Sequence, residues 1–303
     1  MKTLKMLFIV LSMLTILPGT IYSAVVTDEV GDHIPGPPGL SAVVFYYDHI
    51  TGTNQYSGGT LVNRNTNLTA DVTALRFLHF SEIGGFPVAM ALALPYGNVS
   101  INGAGVGGNQ FSSTEIGDLM AISGIWLIAK PEQRMWLDIS AWLTAPTGEY
   151  TPEKPLALNL GQNMWSGKLL MGFTKGFGPI TWDLNSFVQI FTNNDRYVQF
   201  GPPNASGPAT LKRDPVYEVE THLKYDLTKA LFVSADYYYL CGGETKTDEF
   251  GSNNDRLNDH TAGITVGIQL TPKTQLLVHA RDTFKTENQI ETMDIGARLA
   301  YFF

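Results

Sequence analysis

The sequence is short of three things, and each shortage removes a class of protein. It has a single cysteine, Cys241, so neither an intrachain disulfide nor a cysteine-based metal cluster can form. Charged residues make up 16% of the chain, against about 25% in ordinary soluble domains. No run reaches the roughly 18 apolar residues a membrane-crossing helix requires; beyond the leader the longest are 86–95 and 119–129. Basic residues number 20 against 28 acidic, which argues against nucleic acid as a partner, because a phosphate backbone demands a basic face.

What the chain does have is glycine, aromatics and a period of two. Residues 1–24 read as a cleaved secretory signal peptide: Lys2 and Lys5 form the basic start, 7–17 the apolar run, and Ala24 the small residue for cleavage. Cleavage there leaves 18 basic residues against 28 acidic, a net charge of −10. Residues 25–40 carry Pro35, Pro37 and Pro38 among glycines, which excludes a regular element. They are expected to form a periplasmic lead-in that tucks into, or plugs, the mouth of the domain built by the rest of the chain.

From 41 to 303 the chain alternates. Its last stretch sets Met293, Ile295, Ala297, Leu299, Tyr301 and the terminal Phe303 on one parity, with Asp294, Gly296, Arg298 and Ala300 on the other. Eleven earlier segments behave similarly: 41–50, 67–79, 86–96, 116–130, 135–144, 165–175, 180–192, 217–227, 231–241, 260–270 and 274–284. The spacers between them run long, short, long, short, with short ones near 81–85, 131–133, 176–179, 227–230 and 271–273. An up-and-down barrel with both ends in the periplasm has that rhythm, and lipid forces it to close. The fold expected is therefore all-β: a transmembrane antiparallel β-barrel of about 12 strands over residues 41–303, in the outer membrane of a Gram-negative bacterium. Outer-membrane lipid is its surrounding partner, and its closing strand is expected to engage the barrel-assembly machinery. The aromatic residues Tyr96, Trp126, Trp136, Trp142, Trp165, Trp182, Tyr217, Tyr225, Tyr237, Tyr239, Tyr301 and Phe303 are assigned to interfacial girdles.

The stretch Pro146-Thr147-Gly148-Glu149-Tyr150, followed by Asn159-Leu160-Gly161-Gln162-Asn163-Met164-Trp165, resembles the outer-membrane family labelled for the meta pathway of phenol degradation. Pro37-Pro38-Gly39-Leu40, Gly117-Asp118 (assigned to the fourth strand) and Asn193-Asn194 extend the likeness over nearly the whole mature chain; Asp48-His49 departs from it. The resemblance implies a barrel that passes small, often aromatic or apolar, organic compounds across the outer membrane by passive diffusion. It supplies no set of functional residues.

With the apolar parity assigned to lipid, the other parity puts Asp71, Asp138, Lys168, Asp183, His222, Asp259 and His279 in the lumen. Glu218, Glu220, Lys224, Asp236, Arg281, Asp294 and Arg298 join them as candidate solute-contacting residues, and Arg76 is left as the one charge on the lipid face, near a strand end. Two readings compete: a salt-bridged filling of a narrow barrel, and a polar constriction that selects solutes. A purely structural or surface-binding barrel is the second non-enzymatic reading, and a lipid-modifying hydrolase the rival. Nucleophilic catalysis needs a serine, a base and an orienting group together, and His79-Phe80-Ser81 is the only close His/Ser pair in a strand context, with Asp259-His260 a chance neighbour. No enzyme, cofactor or metal is expected. Asp248, Glu249, Asp255 and Asp259 match no calcium-loop spacing and read as a solvated acidic loop. The glycines at 103–108 precede no helix, so they read as a flexible loop rather than a phosphate cradle.

Overall fold

A computed structural model describes residues 28–199 and 206–303; the expected signal peptide lies outside them. The strands, in chain order, are β1 (Ser41–Ser57), β2 (Thr60–Asn63), β3 (Thr66–Ile83), β4 (Phe86–Gly103), β5 (Gln110–Ile116), β6 (Leu119–Lys130), β7 (Met135–Ala145), β8 (Ser166–Phe177), β9 (Ile180–Phe191), β10 (Asn194–Gln199), β11 (Gly207–Arg213), β12 (Val216–Asp226), β13 (Leu231–Gly242), β14 (Thr245–Thr247), β15 (Gly251–Ser252), β16 (Leu257–Thr271), β17 (Thr274–Lys285) and β18 (Ile290–Phe302). Twelve of these, β1, β3, β4, β6, β7, β8, β9, β12, β13, β16, β17 and β18, pair antiparallel in sequence, and β18 returns to β1 to close the ring. All twelve expected segments are spans of this barrel. The long connections are built rather than loose: β2 and β5 extend the barrel wall, and β10, β11, β14 and β15 form a separate four-stranded sheet at the outer end.

Alternation explains the wall. Leu75, Phe77, Leu92, Leu143, Leu169, Leu223, Ile264 and Leu299 all point out and are exposed to the membrane, as lipid requires of a spanning strand. The closing register runs unbroken from Ala42 opposite Phe302, through Tyr46 opposite Arg298 and Asp48 opposite Gly296, to Gly52 opposite Thr292, and shifts between Gly52 and Gln55.

Two strands run opposite to the expected parity. On β3, Leu68, Ala70, Val72 and Ala74 are buried inside, whereas Asp71 faces outward and Arg76 is 7% exposed within the lumen. The reason is length. β3 has 18 residues, well beyond the about 9–11 that cross a bilayer, so its upper half stands outside the membrane and meets water outside and apolar packing inside. On β6, Met120 and Trp126 are interior, while Leu127 faces out after a bulge between Trp126 and Ile128. Trp126, Trp136 and Trp142 are therefore luminal rather than part of a girdle; Trp165, Trp182, Tyr96 and Tyr217 are exposed where a girdle places them. Asp118 precedes β6 instead of lying within a strand, and the glycines at 103–108 form a tight 3₁₀ turn whose Val106 is buried in the upper core.

The lumen is two-sided as a result. The wall made by β1, β3, β4 and β6 is mainly apolar, from Ala42, Val44 and Tyr46 through Ala74, Ala91 and Ala93 to Val99 and Ile101, with Asp48 and Arg76 as buried charged exceptions. The facing wall, β9, β12, β13, β17 and β18, presents Asp183, Asn185, Glu220, His222, Asp236, His279, Arg281, Asp294 and Arg298.

Candidate functional site: an occupied lumen

The lead-in runs between these two walls and matches each. Its apolar side chains Ile34 and Leu40 pack with Phe80, Trp126 and Trp136. Its polar ones pair with the charged wall. Arg281 Nη2 donates to Glu29 Oε1 at 2.7 Å, and Arg298 Nη1 donates to Asp32 Oδ1 at 2.5 Å. Arg76 Nη1 reaches Asp32 Oδ2 at 3.4 Å. His33 Nδ1 lies 2.8 Å from Asp138 Oδ1, the Trp126 indole donates to the His33 carbonyl at 2.8 Å, and the Gly31 amide donates to Asp183 at 3.3 Å. Gly172 is part of the seat, because a Cβ there would collide with the His33 imidazole.

Of the seven candidates, Arg281, Asp294 and Arg298 belong to this junction. His279 Nε2 sits 3.0 Å from Asp48 and 3.3 Å from Asp294, with Arg281 at 4.0 Å from the latter. Asp48, His279 and Asp294 converge as a cation site would, but the imidazole and Arg281 account for the carboxylates as ion pairs. Glu218, Glu220 and Asp236 form a second group: Asp236 accepts from His222 Nδ1 at 2.8 Å, Ser234 at 2.7 Å and Thr265 at 2.6 Å, while Glu220 lies 3.6 Å from His222. Lys224 stands apart at the periplasmic end, 3.1 Å from Asp226 and 4.9 Å over the Phe232 ring. Asp71 is outside, bonded to His49 and Tyr47. Asp255 and Asp259 are buried and bonded to Thr245 and Thr286, whereas Asp248 is an exposed partner of Lys212.

A cavity of about 350 Å³ remains between the lead-in and the apolar wall. Tyr46, Phe80, Trp126, Trp142, Phe232 and Phe302 line it, together with Arg76, Asp32 and Arg298. Sequence reasoning missed most of this site. The signal lay in the lead-in, where Asp28, Glu29, Asp32 and His33 crowd into six residues.

At the outer end the loop between β7 and β8 folds over the lumen. Ala157, Leu158 and Leu160 are buried against β1, β3 and β4. Two carboxylates hold it: Asp118 accepts the amides of Gly148 at 2.8 Å and Gln162 at 2.9 Å, and Glu115 accepts Leu160 N at 3.0 Å and Lys154 Nζ at 2.5 Å. Burial outweighs the backbone donors at Asp118 and raises its pKa above the usual aspartate range. One Ser–His pair exists that local spacing could not show: register sets Ser41 opposite His79, with Oγ 2.9 Å from Nδ1. Among the described residues no carboxylate is hydrogen-bonded to that imidazole.

A closed barrel with a lipid-facing apolar band and a ligand-sized, partly charged lumen defines a bacterial outer-membrane β-barrel of the channel class. The chain belongs to the family described as the MetA-pathway of phenol degradation, whose model matches residues 51–299. It is similar to an outer membrane channel from Pseudomonas putida F1, with TM-score 0.83 and 25% identity over 91% of this chain and 100% of that one. The β domain of the Bordetella autotransporter BrkA, at TM-score 0.51 and 10% identity, covering 88% of this chain and 100% of that one, shares the fold alone. No curated protein matches the sequence.

Proposed function

We propose that the protein passes small aromatic or apolar organic compounds across the outer membrane by passive diffusion, without catalysis. The observation that carries this reading is the apolar, aromatic-lined side of the lumen, with its cavity of about 350 Å³. That size falls at the low end of the roughly 300–1,000 Å³ typical of small-molecule sites. Of the candidate residues, Arg281 and Arg298 hold the lead-in, and Arg298 and Lys224 border the cavity, where they orient any polar substituent of the solute; Glu218, Glu220, Asp236 and Asp294 make up the rest of the polar wall. Residues 28–40 act as a plug, export proceeds through cleavage of residues 1–24, and the closing strand β18 carries the signal for barrel assembly. Among the described residues no acid orients the Ser41–His79 pair, which supports a non-enzymatic role.

Cells producing the protein are expected to take up dilute labelled toluene or phenol severalfold faster than cells without it, with no change for a sugar of similar mass. Equal uptake of every solute, in cells whose barrel is folded, would remove the reading and leave a structural role.

A further inference from the structure

We propose that the luminal cavity is a binding site for an aromatic carboxylate, whose acid group takes the place of Asp32 on Arg76 and Arg298. This rests on the uptake reading and names a solute class within it. Six polar atoms on cavity-lining residues are buried without a hydrogen-bond partner: Arg76 Nε and Nη2, Arg298 Nε, the Tyr46 hydroxyl, His33 Nε2 and Asp28 Oδ2. Three of these are obligate donors against one obligate acceptor, the Asp28 oxygen, so on balance the site is short of acceptors, and buried unmet donors are what a ligand's acceptors relieve.

Asp32 meets the demand only in part. Its Oδ1 bonds Arg298 closely, but its Oδ2 reaches Arg76 at 3.4 Å. It is also held on a segment without regular strand or helix, so a second carboxylate can displace it. The ring has its own place. The Arg76 guanidinium lies 5.3 Å from the Tyr46 ring centroid and 5.4 Å from that of Trp142, so an acid bound to Arg76 brings its ring against aromatic surface. Of the other charges around the cavity, Asp138 is engaged with His33 and Lys224 with Asp226, while Asp28 keeps one unpartnered oxygen. A neutral aromatic leaves the donors unmet, and an aliphatic acid leaves the aromatic wall bare. Exchange of Asp32 for the ligand also frees the lead-in from two of its anchors, which couples binding to opening.

The test uses the full barrel in detergent micelles at neutral pH, reading quenching of Trp126 and Trp142 fluorescence by benzoate, benzyl alcohol and acetate. Benzoate is expected to bind at least about tenfold more tightly than either control. Asp32→Asn removes the competitor and is expected to tighten benzoate about tenfold, whereas Arg76→Gln weakens it about tenfold and leaves benzyl alcohol unchanged. Heat-modifiable gel mobility reports folding; if Arg76→Gln fails to fold, Asp32→Asn, which retains both arginines, decides alone. Benzoate no tighter than benzyl alcohol, or weakened by Asp32→Asn, overturns the inference while leaving uptake of neutral aromatics intact. Tight benzoate binding in a protein that gives cells no uptake advantage does the reverse, sustaining the site and removing the uptake reading.

Discussion

Deletion of residues 28–36 is expected to raise single-channel conductance severalfold and turn the pore toward anions. The segment fills the space between the two luminal walls, and its anchors are Glu29 on Arg281, Asp32 on Arg298 and Arg76, and His33 on Asp138. Removing it takes away three carboxylates, Asp28, Glu29 and Asp32, and leaves the arginines facing the opened lumen. Breaking one partner of a buried ion pair costs about 3–5 kcal/mol when the other charge stays dry. Here water enters the emptied lumen and solvates the arginines, so the barrel keeps its fold and the cost falls on the plug alone. Planar-bilayer recording of the deleted and full chains in asymmetric salt checks both parts. Unchanged conductance from a folded, heat-modifiable barrel would show that current flows elsewhere than past this segment.

The wall of the barrel was legible because lipid enforces one rule on every span. Residues such as Leu169, Leu223 and Ile295 had to be apolar, their neighbours did not, and a period of two resulted. The rhythm of spacers then set the order of strands. The rule that apolar means outward failed where the inside is apolar too. On β3, Val72 and Ala74 pack inside, and nothing in their alternation differs from a lipid-facing row. Trp126 and Trp142 read as girdle residues for the same reason, since a tryptophan meeting a luminal arginine or backbone carbonyl carries no sequence mark of it. The charged wall was easier: Glu220, Arg281 and Asp294 are too costly for lipid, at roughly 2–4 kcal/mol for an arginine at the midplane, so parity placed them inward correctly. The lead-in partners of Arg281 and Arg298, Glu29 and Asp32, some 250 residues away in sequence, lie in a segment with no periodicity to read.

Asp118 shows how a motif that signals kinship can also do structural work, and it gives the second large effect. Its two oxygens accept amides from both legs of the loop that covers the outer mouth, Gly148 on one side and Gln162 on the other. Hydrogen bonds to a charged group contribute about 1.5–3 kcal/mol each, so Asp118→Ala is expected to release the loop by about 2–4 kcal/mol, even after relief of the buried charge. The barrel itself, whose ladders do not pass through Asp118, keeps its heat-modifiable mobility. Gly161→Ala reaches the same outcome by another route: its Cβ would fall 2.6 Å from the Glu149 carbonyl oxygen and 2.7 Å from Gly148 C, so the two legs can no longer close. Both variants should expose residues 145–164 to added protease on intact cells at least tenfold faster than wild type, the order a loss of about 2 kcal/mol implies. Asp118→Asn, which keeps one acceptor oxygen, should fall between. Protection of the loop in Asp118→Ala equal to wild type would mean that Glu115, through Leu160 and Lys154, is sufficient to hold the cover.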